Sequence, residues 1–448
     1  VLVLTTAPAI GCILYIAVGR GISKNNMFKI KEAEDKILKE NIIDTQIKLD
    51  RNDNFEPNLI GYKDMIYALA NSHFTTNNDV EIFPEPNDFF ESLLEELKKA
   101  KHHINIQFYI FKDDEIGNKI IDILIDKAQN GVEVRLLYDA VGSRLFSDKS
   151  IHKLKKSGVK VGAFFPSFMK VINFNLNYRN HRKIVVIDGK VGFIGGNNIG
   201  DEYLGKDPKF GYWRDTHLKI TGDSVKDLNI RFILDWRYTT KEDLVLDKYF
   251  GNETLRLSNS KACKDIGIQI VSSGPDSTEL DEIKYGYIKM IQKAKKYIYI
   301  QTPYFILDKT LTDTLKIACF SGVDVRIMIP SKPDHPFVYW ASSSYAGELL
   351  KYGAKLYNYD HNAFLHAKTI VVDDCVCSIG TANMDIRSFE LNFEINAFMY
   401  SSEVAKKQRA IFENDILKSK EITLDMYNSR SRYMRLKESI SRLLSPIL

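Results

Sequence analysis

The sequence predicts an α/β protein built from two homologous βα halves packed pseudo-symmetrically, preceded by part of an apolar N-terminal helix. Three observations carry that reading. Strand-like and helix-like segments alternate from about residue 80 onward, the same segments return in the same order later in the chain, and a histidine-centred motif occurs once in each half.

The elements follow in order. Val1 to Val18 is almost wholly apolar and uncharged, and Arg20, Lys24, Lys29 and Lys31 come next. About twenty apolar residues are needed to cross a bilayer, so residues 1–20 are expected to be part of a transmembrane segment that begins upstream of Val1. The basic flank places the rest of the chain in the cytoplasm. A cleaved signal peptide fits less well, because the basic residues lie on the wrong side and no small-residue cleavage pattern stands out. A buried core helix is the other reading of the stretch. Residues 21–79 are charged and asparagine-rich and read as a juxtamembrane helix and linker.

Residues 80–255 and 256–448 are expected to form the two homologous domains. In the first, Phe89, Phe90, Leu93, Leu94 and Leu97 recur at helical spacing. Then come a strand from Ile104 to Phe111, a helix ending near Gly131, a strand from Val132 to Tyr138, a helix ending near Gly158 and a strand from Val159 to Phe165. In the second, Tyr297 to Tyr304 matches Ile104 to Phe111, with an Ile-Gln pair at Ile106-Gln107 and again at Ile300-Gln301. "GVEVRLL" from Gly131 is echoed by "GVDVRIM" from Gly322, and "KKSGVKV" around Gly158 by "LKYGAKL" around Gly353. A nearly constant interval separates the members of each pair, which is the mark of duplication. Two such halves place their equivalent loops around one shared cleft. At the C-terminus Leu436, Ile440, Leu443, Leu444 and Ile447 lie at helical spacing beside Arg432, Arg435, Lys437 and Arg442. Such a helix suits either an anionic lipid surface or packing on its own domain.

Each half carries the pattern H-x-K-x4-D-x6-G-[GT]-x-N. The first gives His181, Lys183, Asp188, Gly195, Gly196 and Asn198, and the second His366, Lys368, Asp373, Gly380, Thr381 and Asn383. A lone His-x-Lys is an ordinary solvated strand end. Two copies in register with a duplication, in a chain with 9 histidines, are not. Along a strand, His and Lys two apart point to the same face. A neutral imidazole can attack phosphorus while a second, protonated one supplies a proton to the departing oxygen. Two lysines and two asparagine amides can surround the non-bridging oxygens where charge accumulates, and the glycines allow close backbone approach. A nucleophilic imidazole also needs a partner that fixes its tautomer. Asp215 and Glu394, each in a strand-like run downstream of its own half's histidine, are expected to be those partners. Asp188 and Asp373 follow apolar strands and suit structural anchoring better than direct chemistry. Tyr212 and Trp213 read as core or cleft wall, and His217 and His335 have no motif support.

Composition narrows the function. Over 448 residues, 62 basic and 58 acidic residues leave a net charge of +4, which argues against bulk nucleic-acid binding by charge alone. The cysteines Cys12, Cys263, Cys319, Cys375 and Cys377 are odd in number and scattered, so no disulfide framework is expected and a reducing compartment is. Their spacing does not suit zinc, and no carboxylate cluster suited to a divalent ion accompanies the motif, so neither metal nor cofactor is expected.

The paired motifs resemble the HKD motifs of the phospholipase D superfamily. The surrounding text is similar to the bacterial cardiolipin synthase family across nearly the whole chain: "NHRKIVVIDGKVGFIGGNNIGDEYLG", "YWRDTHLKITG", "SSGPD", "IQTPYF" and "RSFELNFEINAF", with "ILYIAVGRG" near the start and "RLLSPIL" at the end. Members of that family usually begin with two transmembrane segments, of which this sequence carries part of one. The resemblance implies two phospholipase D-like domains and a phosphatidyl transfer between two phosphatidylglycerol molecules, giving cardiolipin and glycerol through a phosphohistidine. His181, Lys183, Asp188, His366, Lys368 and Asp373 would be the catalytic set, supported by Asn198, Asn383, Asp215 and Glu394. By analogy His181 attacks and His366 donates the proton, although the chemistry permits the reverse. The implied partners are phosphatidylglycerol and other membrane lipids, not nucleic acid, with the catalytic domains on the cytoplasmic side of the bacterial inner membrane. A nuclease, a lipid hydrolase and a non-catalytic lipid-binding protein are the competing readings. The near-neutral charge and apolar start weigh against the first, and the completeness of both motifs against the last.

Overall fold

The computed structural model describes residues 57–166, 178–244, 266–276 and 280–445, together with Pro8 and Tyr249. The expected transmembrane stretch and most of the expected linker lie outside them. No helix among the described residues is long and apolar enough to cross a membrane.

The first half contains β1 (Asn78–Phe83), β2 (His103–Phe108), β3 (Glu133–Asp139), β4 (Lys160–Phe164), β5 (Arg179–Asn180), β6 (Ile184–Ile187), β7 (Val191–Gly195), β8 (Tyr212–Arg214) and β9 (His217–Gly222). Its sheet runs β1-β9-β7-β6-β2-β3-β4. The β2-β3-β4 edge is parallel and the remaining pairs are antiparallel. β2 and β6 are buried at every position, so they read as short continuous runs rather than as clean alternations. Asn105 and Gln107 interrupt the run in β2. Their amide N–H groups donate inside, Asn105 to Asn229 at 2.8 Å and Gln107 to Asp235 at 3.0 Å.

The second half contains β10 (Gly267–Ser273), β11 (Tyr297–Gln301), β12 (Phe305–Ile306), β13 (Asp324–Ile329), β14 (Lys355–Asn358), β15 (Ala363–Leu365), β16 (Thr369–Val372), β17 (Val376–Gly380), β18 (Met384–Asp385), β19 (Asn392–Tyr400) and β20 (Lys420–Ile422). The order β10-β19-β17-β16-β11-β13-β14 reproduces the first sheet position for position, with β20 added beyond β14. The duplication read from short sequence echoes is therefore a duplication of topology. The echoed glycines have one physical cause. Gly131 and Gly322, and Gly158 and Gly353, hold φ of 86°, 82°, 93° and 96° where the chain leaves a helix for the next strand. Side chains with a Cβ rarely adopt that conformation.

One apolar cluster runs through both halves, joining Leu137, Phe164 and Ile184 to Ile268, Phe393 and Met399, so the two sheets share a core. Part of the expected linker belongs to the fold as well. The helix Pro57–Ala70 inserts Leu59, Tyr62 and Ile66, at helical spacing, into the core of the second half, and the Tyr62 hydroxyl donates to the Gly286 carbonyl at 3.1 Å. The C-terminal helix Arg432–Leu443 packs on the helix Pro336–Leu349, where Arg442 pairs with Glu348 at 3.0 Å and Lys437 lies over the Trp340 ring. Its row of Tyr433, Leu436, Ile440 and Leu443 faces outward.

Candidate active site

Each histidine reaches the centre at the end of a short strand that leaves its own sheet. β5 pairs in parallel with the start of β19, Arg179 opposite Asn392 and Asn180 opposite Phe393. The His181 N–H then donates to the Phe393 carbonyl at 2.9 Å. Across the pseudo-twofold, β15 pairs in parallel with β8, and the His366 N–H donates to the Arg214 carbonyl at 2.7 Å. Each histidine is thus stitched beside the other half's carboxylate, Glu394 on β19 and Asp215 directly after β8.

The pairing is consequently crossed. His181 Nδ1 lies 3.0 Å from both carboxylate oxygens of Glu394, and His366 Nδ1 lies 2.6 Å from Asp215 Oδ2. Both carboxylates expected from the sequence are present, but each serves the histidine of the opposite half. The parallel registers of β5 on β19 and β15 on β8 impose the exchange. Glu394 also accepts from Thr381 Oγ1 and from Asn392 Nδ2, and Asp215 from the Thr216 N–H at 2.7 Å. These bonds give the Gly-[GT] step of the motif a different cause from phosphate approach. A Cβ on Gly196 would stand 2.0 Å from Asp215 Oδ1. At the equivalent position of the second half, the hydroxyl of Thr381 holds the carboxylate instead.

Burial decides the protonation states. Both carboxylates are 0% exposed. Burial alone would raise them, but His181 and Lys183 beside Glu394, and His366 and Lys368 beside Asp215, hold them below the usual range. Burial pulls His181 down to about 4 against the opposing pull of Glu394. Burial and then Lys368 pull His366 down to about 4 against Asp215. At neutral pH each imidazole is therefore uncharged and its Nδ1–H donates to an ionised carboxylate, which leaves the Nε2 lone pair available. Lys183 Nζ donates to the His181 carbonyl at 2.8 Å, and Lys368 Nζ donates to the His366 carbonyl. Burial lowers Lys368 to about 8 and Lys183 well below its ordinary value.

Both histidines line one cavity of ≈ 610 Å³, together with Asn198 and Asn383. Asn198 accepts from the Ile110 N–H at 3.1 Å and donates to the Tyr203 hydroxyl at 3.2 Å. The buried Oδ1 of Asn383 has no hydrogen-bond partner among the described residues. Aromatic rings flank the imidazoles at 5.0 Å, Tyr109 beside His181 and Trp213 beside His366.

Asp188 and Asp373 do not join this group. Each lies at the far end of β6 or β16, roughly 20 Å along the chain from its histidine at strand rise. Asp188 accepts the N–H groups of Lys101, His102 and His103 at 2.9, 2.7 and 3.0 Å. Asp373 accepts those of Lys295, Lys296 and Tyr297 at 2.6, 2.9 and 2.8 Å. Both sit at positive φ, 55° and 53°. They tie a turn to the start of β2 or β11, and neither lines the cavity that holds the histidines. His217 is buried and stacked on Phe89 at 3.9 Å, a core role, whereas His335 lines the cavity. Sequence reasoning missed Tyr109, Arg179, Asp385 and Arg387 on the cavity wall. Arg179, two residues before His181 in the same strand period, was open to discovery; Tyr109 carried no such signal.

The chain matches the family described as cardiolipin synthase, PLD-like domain, over residues 93–208 and 287–416. It is 49% identical to a cardiolipin synthase of Oceanobacillus iheyensis, across 100% of this chain and 92% of that one. Identity to the major cardiolipin synthase of Bacillus subtilis is also 49%, with the same coverage. Among solved structures it is similar in fold to the phosphatidylserine synthase of Haemophilus influenzae, with a TM-score of 0.66, 17% identity and coverage of 87% of this chain and 100% of that chain.

Proposed function

Because the chain belongs to the cardiolipin synthase family of phospholipase D-like proteins, we propose that it transfers a phosphatidyl group from one phosphatidylglycerol to another through a phosphohistidine. The observation that carries this reading is the pair of crossed histidine–carboxylate contacts whose imidazoles line one cavity, with a buried lysine two residues beyond each histidine. Nε2 of one neutral imidazole attacks phosphorus, and the P–O bond to the glycerol head group breaks. The anionic phosphodiester raises the pKa of the second imidazole on binding, so that it arrives protonated and gives its proton to the leaving oxygen. The terminal hydroxyl of a second phosphatidylglycerol then returns that proton as its oxygen bonds to phosphorus and the P–N bond breaks. In this reading Asn198 and Asn383, with Lys183 and Lys368 behind the histidines, balance charge on the non-bridging oxygens. Asp215 and Glu394 steady the imidazolium that forms in each half-reaction.

Membrane attachment completes the proposal. The apolar start with its basic flank is read as an anchor that holds the catalytic halves on the cytoplasmic face of the inner membrane. The outward row of the C-terminal helix, with Arg432 and Arg435 beside it, supports a second contact with anionic lipid.

The test is lipid mass spectrometry after incubation with phosphatidylglycerol vesicles, beside His181→Ala and His366→Ala, with flotation of the same vesicles reporting attachment. Cardiolipin and glycerol from the unaltered protein alone are expected. Phosphatidic acid without cardiolipin would make the protein a hydrolase, and no lipid product would remove the proposal.

A further inference from the structure

The repeated Ile-Gln pair puts a buried glutamine on the central strand of each half, Gln107 on β2 and Gln301 on β11. Each donates through Nε2 to an aspartate on the helix packed against its own sheet. Gln107 reaches Asp235 at 3.0 Å, on the helix Val225–Thr240, and Gln301 reaches Asp415 at 2.7 Å, on the helix Ser402–Ile416. Each aspartate in turn holds an arginine. Arg182 Nη1 donates to both oxygens of Asp235 at 2.8 Å, and Arg214 Nε donates to Asp415 Oδ2 at 3.0 Å. Asp235 takes Arg231 as well, at 2.7 Å. Gln107, Asp235, Arg182, Gln301, Asp415 and Arg214 are all buried, and none of them lines the cavity.

Each arginine touches both members of one crossed pair. Arg182 follows His181 in the chain, and its Nε donates to the main-chain carbonyl of Glu394 at 3.1 Å. The carbonyl of Arg214 accepts the His366 N–H at 2.7 Å, while its Nη1 donates to the main-chain carbonyl of Asp215. The two arrangements differ in origin. Both arginines belong to the first half, because Ala367 follows His366 and Phe393 precedes Glu394 at the corresponding places of the second. The Phe393 ring lies against the Arg182 guanidinium at 5.2 Å. The arginine thus stands once beside a histidine and once beside a carboxylate, yet in both cases it bridges the pair.

A guanidinium is a rigid planar fork, so it can fix a carboxylate on one edge and a carbonyl on another in a set direction. The contact between an imidazole N–H and a carboxylate weakens steeply once the two fall out of line. We propose that the chains Gln107–Asp235–Arg182 and Gln301–Asp415–Arg214 are positioning devices, each holding one crossed carboxylate in line with its imidazole. They touch no substrate and change no bonds. The inference rests on the proposed function for which groups react.

The experiment removes one ion pair whole, with Arg214→Met and Asp415→Leu in the same chain. Replacing a buried ion pair by apolar residues of similar volume is often neutral for stability, so this double variant should melt near the unaltered protein. A pair that served folding alone would then leave the chemistry intact. Activity is read as exchange of labelled glycerol into phosphatidylglycerol vesicles, which forms and breaks the same phosphohistidine. A positioning role predicts a fall in kcat of about 10²-fold, with KM changed by less than about threefold. In protein labelled with ¹⁵N-histidine, the Nδ1–H resonance of His366 should move and that of His181 should stay. Arg214→Lys keeps the charge but not the fork, and should show a smaller loss in the same direction. A folded double variant with unchanged kcat and an unmoved His366 signal would overturn the inference. Failure of both variants to fold would overturn it too, by making the chain a folding element. The resonances are read without substrate, so a protein that yields no lipid product removes the proposed function while the His366 shift still tests the positioning.

Discussion

Replacing Glu394 by glutamine preserves the shape of the side chain and removes the charge that faces the His181 Nδ1 proton. The amide oxygen can still accept that proton and the Thr381 hydroxyl, so the resting protein, with a neutral His181, should fold and melt almost as before. The loss falls on states in which His181 is cationic, whether protonated or phosphorylated. At 3.0 Å, opposite charges at an effective dielectric of about 20 attract by roughly 5 kcal/mol, and breaking one side of a buried pair typically costs about 3–5 kcal/mol. At about 1.4 kcal/mol per factor of ten, the glycerol-exchange rate should drop roughly 10²- to 10⁴-fold. The companion readout is the Nδ1–H resonance in protein labelled with ¹⁵N-histidine. Glu394→Gln should move the His181 signal and leave His366 in place, and Asp215→Asn should do the reverse. A rate loss below tenfold, or a Glu394 variant that moves the His366 signal, would refute the crossed pairing.

Two further outcomes follow from the same geometry. Lys368, lowered to about 8, is cationic below that value, so kcat/KM for glycerol exchange should fall as pH rises through about 8, where the free enzyme loses the charge that meets phosphate. Lys368→Met should lower the rate at pH 7 by about 10²–10³, and a pH profile that stays flat to pH 9 would exclude this role. Asp188 only ties a turn to the start of β2, so Asp188→Asn, which tolerates the positive φ, should cost about 1–3 kcal/mol of stability and leave the exchange rate of the folded fraction within about threefold. A denaturant melt beside the rate measurement checks both, and a rate loss without a stability loss would return Asp188 to the catalytic set.

Much of the site was legible in advance because it is written locally. His181 with Lys183, and His366 with Lys368, sit two residues apart and are visible in the text, although the structure sets each pair in the short non-strand step before β6 or β16 rather than inside a strand. Asp215 and Glu394 were identifiable as carboxylates in strand-like runs. The pairing was not, because chain order suggests the nearer partner while the registers of β5 on β19 and β15 on β8 bring in the farther one. Asp188 and Asp373 show the converse. They share the motif's spacing, but a strand separates them from the histidines, and their carboxylates cap backbone N–H groups instead.

By itself, the sequence determined the duplicated α/β topology, the two histidine–lysine pairs and the family, because repeats, period-two spacing and turn glycines act over a few residues and survive in the text. Tertiary structure alone decided which carboxylate serves which histidine and the neutral state of the imidazoles. Those properties arise from burial and from strands exchanged between halves, and both depend on contacts between residues far apart in the chain.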